Sequence, residues 1–332
     1  MASNTEKISI IGGAGFVGSR LANLFDHSVL NYLICDINTK DRTNNIIYLD
    51  VEDEKSLKEL KGTSTIINLA AVHRDDVRPI SRYDDVNVQG AINICNAARA
   101  LSIRKIIFTS SVAIYGFAPI DTDEFGIPDY FNDYGRTKYL AEVVYKQWQS
   151  EDPSNRTLVI VRPTVIFGEG NRGNVYNLFN QIASRRFVMF GNGKNRKSMA
   201  YVENVVAFIE HSLSFGPGVH TYNYIDKPDF DMNTLIKKIR KILFNKNNVG
   251  LRLPGFLGIS IGYFADLVAK VISRPLPVSS IRVKKFMSTS QFASSVSKTE
   301  FIPPISLEEG LARTLTYEFL EDNSNMRTFK TE

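Results

Sequence analysis

Tyr134 and Lys138 stand four residues apart in Tyr134-Gly135-Arg136-Thr137-Lys138. On a helix that spacing stacks the two side chains one turn apart on a single face. An ammonium beside a phenol favours the phenolate and lowers the tyrosine pKa. A tyrosine tuned in this way can act as a general base on a hydroxyl. Alone the pair is a weak signal, because Tyr and Lys also meet at this spacing on solvated helices. Other residue types narrow the chemistry. Cys35 and Cys95 lie in strand-like and helix-like apolar surroundings without C-x-x-C spacing, and read as buried residues of a reducing compartment. His27, His73, His211 and His220 are scattered without metal-ligand spacing, so no metal is expected.

The elements that must position the pair follow from the order of apolar runs. A strand over Ile8–Ile11 leads into Gly12-Gly13-Ala14-Gly15-Phe16-Val17-Gly18 and an amphipathic helix over Phe16–Phe25. Strand, glycine turn and helix together make a dinucleotide fingerprint. Gly12 permits the tight turn, Gly15 lets the backbone approach a pyrophosphate at the helix N-terminus, and Gly18 lets the helix pack on the sheet. A second strand, Tyr32–Cys35, ends in Asp36, placed to accept from the adenosine ribose hydroxyls and to repel a 2′-phosphate, so NAD is favoured over NADP. A third, Ile46–Leu49, ends at Asp50-Val51, with an acid for the adenine amino group. A helix is expected over Glu52–Leu60, a strand over Thr65–Leu69 ending at Ala70 and Ala71, a long helix over Asp84–Ala100, and a strand over Lys105–Phe108 running into Ser110-Ser111-Val112-Ala113. The alternation predicts an α/β fold, a Rossmann-type doubly wound parallel sheet. Its strand ends gather Asp36, Asp50, Ala71 and Ser111, where such sheets bind ligands.

Tyr134 opens a helix to about Gln149, and a strand over Leu158–Val161 leads into Arg162-Pro163. The alternation then loosens. A strand and helix over Ala200–Leu213 and a strand over His220–Ile225 are expected to rejoin the sheet. The division expected is a nucleotide-binding domain of 1–168 with a return segment at about 200–226, and a smaller C-terminal substrate-binding domain of 169–199 and 227–332. At 332 residues, 43% hydrophobic and 23% charged, the composition is that of a soluble globular protein. The first residues run straight into a strand, so no signal peptide is expected.

These residues resemble the extended short-chain dehydrogenase/reductase family, also described as the NAD-dependent epimerase/dehydratases. The resemblance rests on Gly12, Gly15 and Gly18, Asp36, Ser111 in its Ser-Ser-x-x-Ile-Tyr-Gly setting, and Tyr134 with Lys138. It implies that Ser111 hydrogen-bonds the reacting sugar hydroxyl, Tyr134 is the acid/base and Lys138 holds the nicotinamide ribose. By the same resemblance Phe16, Val17, Val51, Leu69, Ala70, Asn87 and Pro163 contact the cofactor. Family dehydratases carry Asp-Glu directly after the catalytic Ser or Thr, whereas Val112 and Ala113 stand here and cannot transfer protons. Chemistry at sugar carbon 4 remains: a 4-epimerase, or a 4-reductase of a UDP-4-keto-6-deoxy-N-acetylhexosamine. A non-catalytic NAD-sensing protein is the alternative from another class.

Within the family, His73-Arg74-Asp75-Asp76-Val77, Gly170 to Asn177, Lys197 to Val202, Tyr224 to Asp229 and Val278 to Phe286 look like the branch of bacterial 4-epimerases acting on N-acetylglucosaminyl-diphospho-undecaprenol, in O-antigen synthesis. Soluble UDP-GlcNAc 4-epimerases share this look less closely. The resemblance offers His73, Arg74, Arg172, Asn174 and Lys197, with Ser111, as substrate contacts, and a homodimer through the Asp84–Ala100 and Tyr134–Gln149 helices. Between Lys237 and Lys285 eleven Lys and Arg face one acid, Asp266. That segment holds the uncharged run Leu253–Ala265, too short for a bilayer span, which needs about 20 residues. It reads either as an interfacial helix on an anionic leaflet or as a core or dimer-contact helix. With a lipid-linked substrate the first is favoured, placing the protein in the cytoplasm, peripheral on the inner face of the plasma membrane. No nucleic-acid motif supports the other use of such charge.

Overall fold

This computed structural model describes residues 6–39, 46–74, 77–272, 280–323 and 325–331, apart from the side chains of Val271 and Arg282. Asp75, Asp76, Arg274, Val278 and Ser279, which figure in the motifs above, lie outside the described residues. The chain begins β1 (Lys7–Ile11), α1 (Phe16–His27), β2 (Tyr32–Asp36), β3 (Ile46–Tyr48) and β4 (Thr63–Asn68). A long helical segment then runs as α2 (Ser81–Tyr83), a π turn (Asp84–Gln89) and α3 (Gly90–Ala100). Next come β5 (Lys105–Thr109), a 3-10 turn (Val112–Tyr115), α4 (Asp133–Ser150), β6 (Thr157–Pro163) and β7 (Val165–Phe167). The remainder is α5 (Asn174–Ala183), β8 (Met189–Phe190), β9 (Arg196–Tyr201), α6 (Val202–His211), β10 (Gly218–Tyr224), β11 (Asp226–Asp231) and α7 (Met232–Phe244). It closes with β12 (Arg252–Leu253), α8 (Gly255–Ile272), α9 (Ser280–Met287) and α10 (Leu307–Phe319).

Seven strands form one parallel sheet in the order β10-β6-β5-β4-β1-β2-β3. Every residue of β6 is buried, as a central strand covered on both faces must be. One face packs on Ile94, Cys95, Tyr145 and Trp148 from α3 and α4, the other on Leu21, Phe25, Val205 and Phe208 from α1 and α6. The Rossmann-type fold expected from the alternation is therefore present. A second core gathers Phe179, Leu235, Ile239 and Leu311 from α5, α7 and α10.

Three local expectations are corrected. Between Glu52 and Leu60 only a 3-10 turn forms, at Ser56–Leu60. Asp50 Oδ1 takes the Glu52 N–H at 3.0 Å and Asp53 Oδ1 the Lys55 N–H at 2.9 Å, so side chains compete with the helical ladder. The helix expected over Asp84–Ala100 starts earlier, at Ser81, and widens into the π turn. Strand β9 does not rejoin the large sheet. The chain continues past Pro163 as β7, which offers β9 an edge (Val165 opposite Met199), and β9 pairs on its other side with β11. β10 does return, its Gly218 opposite Thr157 and Tyr224 opposite Pro163 of β6.

Candidate active site

Tyr134 enters on the first turn of α4. Asn132 sets that start, its side-chain oxygen accepting the Gly135 N–H at 2.9 Å. A Cβ on Gly135 would lie 2.4 Å from Ala113 O, so only glycine lets the helix approach the 112–115 turn. Ser111 caps that turn by accepting the Ala113 N–H at 3.1 Å, and its hydroxyl also hydrogen-bonds the Tyr134 phenol. Lys138, only 2% exposed, donates to Thr109 O at 2.7 Å and stands 4.6 Å from the Phe108 ring centroid. Ser111, Tyr134 and Lys138 thus come together at the carboxyl end of β5.

Their electrostatics differ from the expectation that Lys138 lowers the Tyr134 pKa. Burial pushes the Tyr134 phenol up to about 12, opposed by the Ser111 hydrogen bond. Burial likewise pushes Lys138 down to about 7, opposed by Glu142. Desolvation favours the neutral form of both groups. At that value the phenol keeps its proton near neutral pH, and positive charge brought beside it would favour the phenolate.

Glu142 escapes the sequence reading, although its place four residues after Lys138 on the same helix face is the signal that would find it. It is fully buried, gripped by Arg162 (Nε to Oε1 at 2.8 Å, Nη2 to Oε2 at 2.5 Å) and by Ser110 Oγ at 2.6 Å. Arg162 also donates to the Tyr115 hydroxyl at 2.6 Å, which donates to Asn223 Oδ1 at 2.9 Å. This chain of charge-assisted bonds fixes α4 to β5, β6 and β10 beneath Lys138.

The glycine turn is built for close approach. Gly12 has φ +77, and a Cβ there would lie 2.6 Å from Ala70 N. A Cβ on Gly18 would lie 2.5 Å from Gly13 Cα. Gly15 is different: it is exposed, and its Cβ would meet only Gly12 O at 3.2 Å. It begins α1, with Phe16 and Val17 following, and no side chain caps the helix. The first-turn N–H groups therefore face an open place that suits an anion. Asp36 closes one side, its carboxylate accepting the Ala14 N–H at 2.9 Å and the Asn38 N–H at 2.8 Å. Asp50 and Val51 follow β3, and Leu69, Ala70 and Ala71 follow β4, half-buried. Asn87 braces these loops: Oδ1 accepts the Val72 N–H at 2.8 Å, and Nδ2 donates to Val72 O and Thr137 Oγ1, each at 2.9 Å. Pro163 is buried at the end of β6.

The substrate candidates divide. His73 hydrogen-bonds the backbone at Ala71 and Thr331 and feels the charge of Lys138; desolvation, the largest influence, holds its pKa below the usual range. Arg172 pairs with Glu318 (Nη1 to Oε2 at 2.6 Å) and stacks 4.1 Å over the Tyr176 ring, which anchors α10 rather than presenting a free cation. Lys197 donates to Lys285 O at 2.8 Å and to Ser290 Oγ at 3.4 Å, and burial pushes it down to about 8. The Arg74 carbonyl accepts the Tyr83 hydroxyl, and Asn174 heads α5. Of this set, Ser111 stands with Tyr134 and Lys138, and His73 feels the charge of Lys138.

Residues 8–224 match the model of the NAD dependent epimerase/dehydratase family. The chain belongs to that family. An N-acetyl-alpha-D-glucosaminyl-diphospho-ditrans,octacis-undecaprenol 4-epimerase of Escherichia coli O157:H7 is 45% identical over 338 residues, 98% of this chain and 99% of that protein. Among solved structures, UDP-glucose 4-epimerase of Thermotoga maritima with UDP-glucose superposes with a TM-score of 0.73 at 21% identity, covering 95% of this chain and 100% of that one. The Thermus thermophilus UDP-glucose 4-epimerase in complex with NAD gives 0.69 at 16% identity, covering 94% and 98%. At such identities the superpositions speak for the fold. The family's cofactor is NAD, and the open turn at Gly15, the uncapped α1 and the carboxylate of Asp36 fit it.

Proposed function

We propose that the chain is an NAD-dependent 4-epimerase that interconverts N-acetylglucosamine and N-acetylgalactosamine attached to diphospho-undecaprenol, in the synthesis of O-antigen or a related surface polysaccharide. The observation that carries this reading is the 45% identity, over 98% of the chain, to a relative of that activity. Bound NAD supplies the acceptor and donor of the hydrogen on sugar carbon 4. The Gly12–Gly18 turn with Phe16 and Val17 would hold its pyrophosphate, Asp36 the adenosine ribose, Asp50 and Val51 the adenine. Leu69, Ala70 and Ala71, Pro163, Lys138 and, through the loop it braces, Asn87 would hold the nicotinamide half. Tyr134 Oη, as the phenolate that the positive charge of Lys138 and of the oxidised cofactor would favour, takes the proton of the C4 hydroxyl during oxidation and, as the phenol, returns it during reduction. Ser111 keeps that oxygen in place as hydroxyl and as ketone. Val112 and Ala113 offer no proton-transfer group, so the 4-keto sugar is not diverted to dehydration. Between the two half-reactions the sugar turns about its pyrophosphate link. The division into a nucleotide-binding unit (1–168 with 200–226) and a substrate-binding unit (169–199 with 227–332) belongs to the same reading.

A peripheral site on an anionic membrane completes it. On α8 the glycines face inward: Gly258 touches the Phe190 ring, where a Cβ would come within 2.7 Å, and Gly262 is buried. The large apolar side chains face outward, Phe256 at 67%, Phe264 at 68% and Leu267 at 60% exposure. Such reversed amphipathicity suits a lipid phase. Lys270 is exposed on the same helix, and on α9 Lys284 donates to the Tyr263 hydroxyl at 2.8 Å. Lys285 stands 4.4 Å over the Phe131 ring, joining α9 to a second exposed apolar stretch, Phe117, Phe125 and Ile127, just before Tyr134. Among the described residues no helix is long and apolar enough to cross a membrane.

The deciding experiment supplies lipid-linked and UDP-linked N-acetylglucosamine separately to the purified protein with NAD. Galacto product from the lipid-linked sugar, without net NADH change, is expected. Conversion of the UDP-linked sugar alone defeats the lipid-substrate reading, and stoichiometric NADH consumption with a 4-keto sugar defeats epimerisation.

A further inference from the structure

The segment 325–331 has no role in the chemistry above, yet it runs from the glycine turn to the catalytic end of the cleft. Arg327 Nη2 donates to Ala14 O at 2.7 Å, inside the turn whose next residues open α1. The Arg327 guanidinium lies 4.6 Å over the Phe329 ring, and Phe329 packs on Phe16 with ring centroids 5.7 Å apart. Two backbone bonds of 2.8 Å, Phe329 N to Gly170 O and Arg172 N to Phe329 O, lay the segment alongside Asn171. Thr331 Oγ1 then donates to Asn171 Oδ1 at 2.6 Å, and the Thr331 backbone meets the imidazole of His73. A strap thus joins the expected pyrophosphate end of the cleft, at Ala14 and Phe16, to its nicotinamide end, at His73 beside Ala71.

We propose that this strap closes over bound NAD and that Arg327 is a further cofactor-binding residue, its guanidinium pairing with the pyrophosphate at the N-terminus of α1. The inference rests on reading the Gly12–Gly18 turn as the pyrophosphate site. Guanidinium is the side-chain group that best matches phosphate oxygens. Phe329, itself packed on Phe16, stacks against the guanidinium beside the turn, and Nη2 donates to the Ala14 carbonyl at the edge of that site. An epimerase also has a chemical need for such a device. The reduced cofactor must remain until the keto sugar has turned, because its loss strands a ketone and an enzyme without hydrogen to return. A cofactor clamped by residues remote from the sugar leaves the sugar free to move.

The test reads NADH release in the absence of any sugar, by fluorescence after mixing with excess NAD⁺, for the full chain, Arg327→Ala, Arg327→Lys, Phe329→Ala and a chain ending at Asn323. Removal of one charge-assisted contact predicts release about tenfold faster in Arg327→Ala, at least as fast in the shortened chain, and partly slowed again in Arg327→Lys. The gain in melting temperature on adding NAD should shrink in the same order. Release at the parental rate from Arg327→Ala and from the shortened chain overturns the proposal. So does a pattern in which these variants melt lower without NAD but keep the parental NAD-induced gain, which marks a purely structural brace. A parent chain that binds no NADH fails the underlying reading of the glycine turn instead.

Discussion

Lys138 is held by one carbonyl, Thr109 O, and by the face of Phe108, in a place water does not reach. Its folded pKa of about 7 lies below the ordinary lysine value. Between pH 7 and about 10 the unfolded chain therefore binds more protons than the folded one, and stability rises with pH through that window. Below it the buried ammonium carries its full desolvation penalty. Lys138→Met removes the group, so at pH 6–7 the variant should melt above the parent, with the gap narrowing as pH approaches about 10. Melting curves of both proteins across that range check it; a gap independent of pH refutes the assignment. Turnover should be lost in the same variant. Tyr134→Phe should lower kcat by about 10²–10⁴-fold while the protein still binds NAD, measured by calorimetry. Glu142→Gln leaves Arg162 without its buried countercharge and should destabilise the fold by about 3–5 kcal/mol, read from urea unfolding. Ser111 was joined to Tyr134 and Lys138 by the family resemblance of its Ser-Ser-x-x-Ile-Tyr-Gly setting, and those two were legible as neighbours because adjacent helical turns fix which side chains meet. The balance of charge at the trio was not, since desolvation depends on what α4 is packed against.

At the scale of elements, the glycine turn separates fold from ligand. Gly18 lies where α1 crosses the turn, and its Cβ would overlap Gly13 Cα at 2.5 Å and Gly12 O at 2.6 Å. Gly18→Ala should therefore lower the melting temperature by several degrees and weaken NAD binding together. Gly15→Ala should keep the melting temperature within a degree or two of the parent and still weaken NAD binding, because Gly15 lies exposed at the N-terminus of α1, where the proposed pyrophosphate would approach. Equal thermal loss in both variants contradicts this division. The seven strands of the large sheet and α4 are visible in the apolar periodicity to within a residue or two, whereas β7, β8, β11 and β12 are not. The missing helix at Glu52–Leu60 is not, because Asp50 and Asp53 turn their carboxylates onto nearby N–H groups and the apolar pattern does not record that choice.

For the whole molecule, Lys285 of α9 over the Phe131 ring links the region of the exposed row on α8 to the exposed stretch before Tyr134, and the proposed lipid contact is tested there. Sedimentation with vesicles holding anionic lipid should capture the protein, and with neutral vesicles less of it. Replacing Phe256, Phe264 and Leu267 by Ser should abolish capture with little change in melting temperature, as these exposed side chains add little to the core. Loss of a dimer in the same variant, with vesicle capture intact, would assign the face to a second copy of the chain. The sequence by itself determined the parallel sheet, the glycine turn, Asp36 and the Tyr134–Lys138 pair, because each depends on neighbours within a strand, a turn or two turns of helix. Only the tertiary structure decided that Arg172 is paired with Glu318, that Glu142 lies buried beneath Lys138 between Arg162 and Ser110, that the glycines of α8 face inward, and that Arg327 reaches Ala14. Those contacts join residues far apart in the chain, and which surfaces meet is fixed by packing that no local pattern encodes.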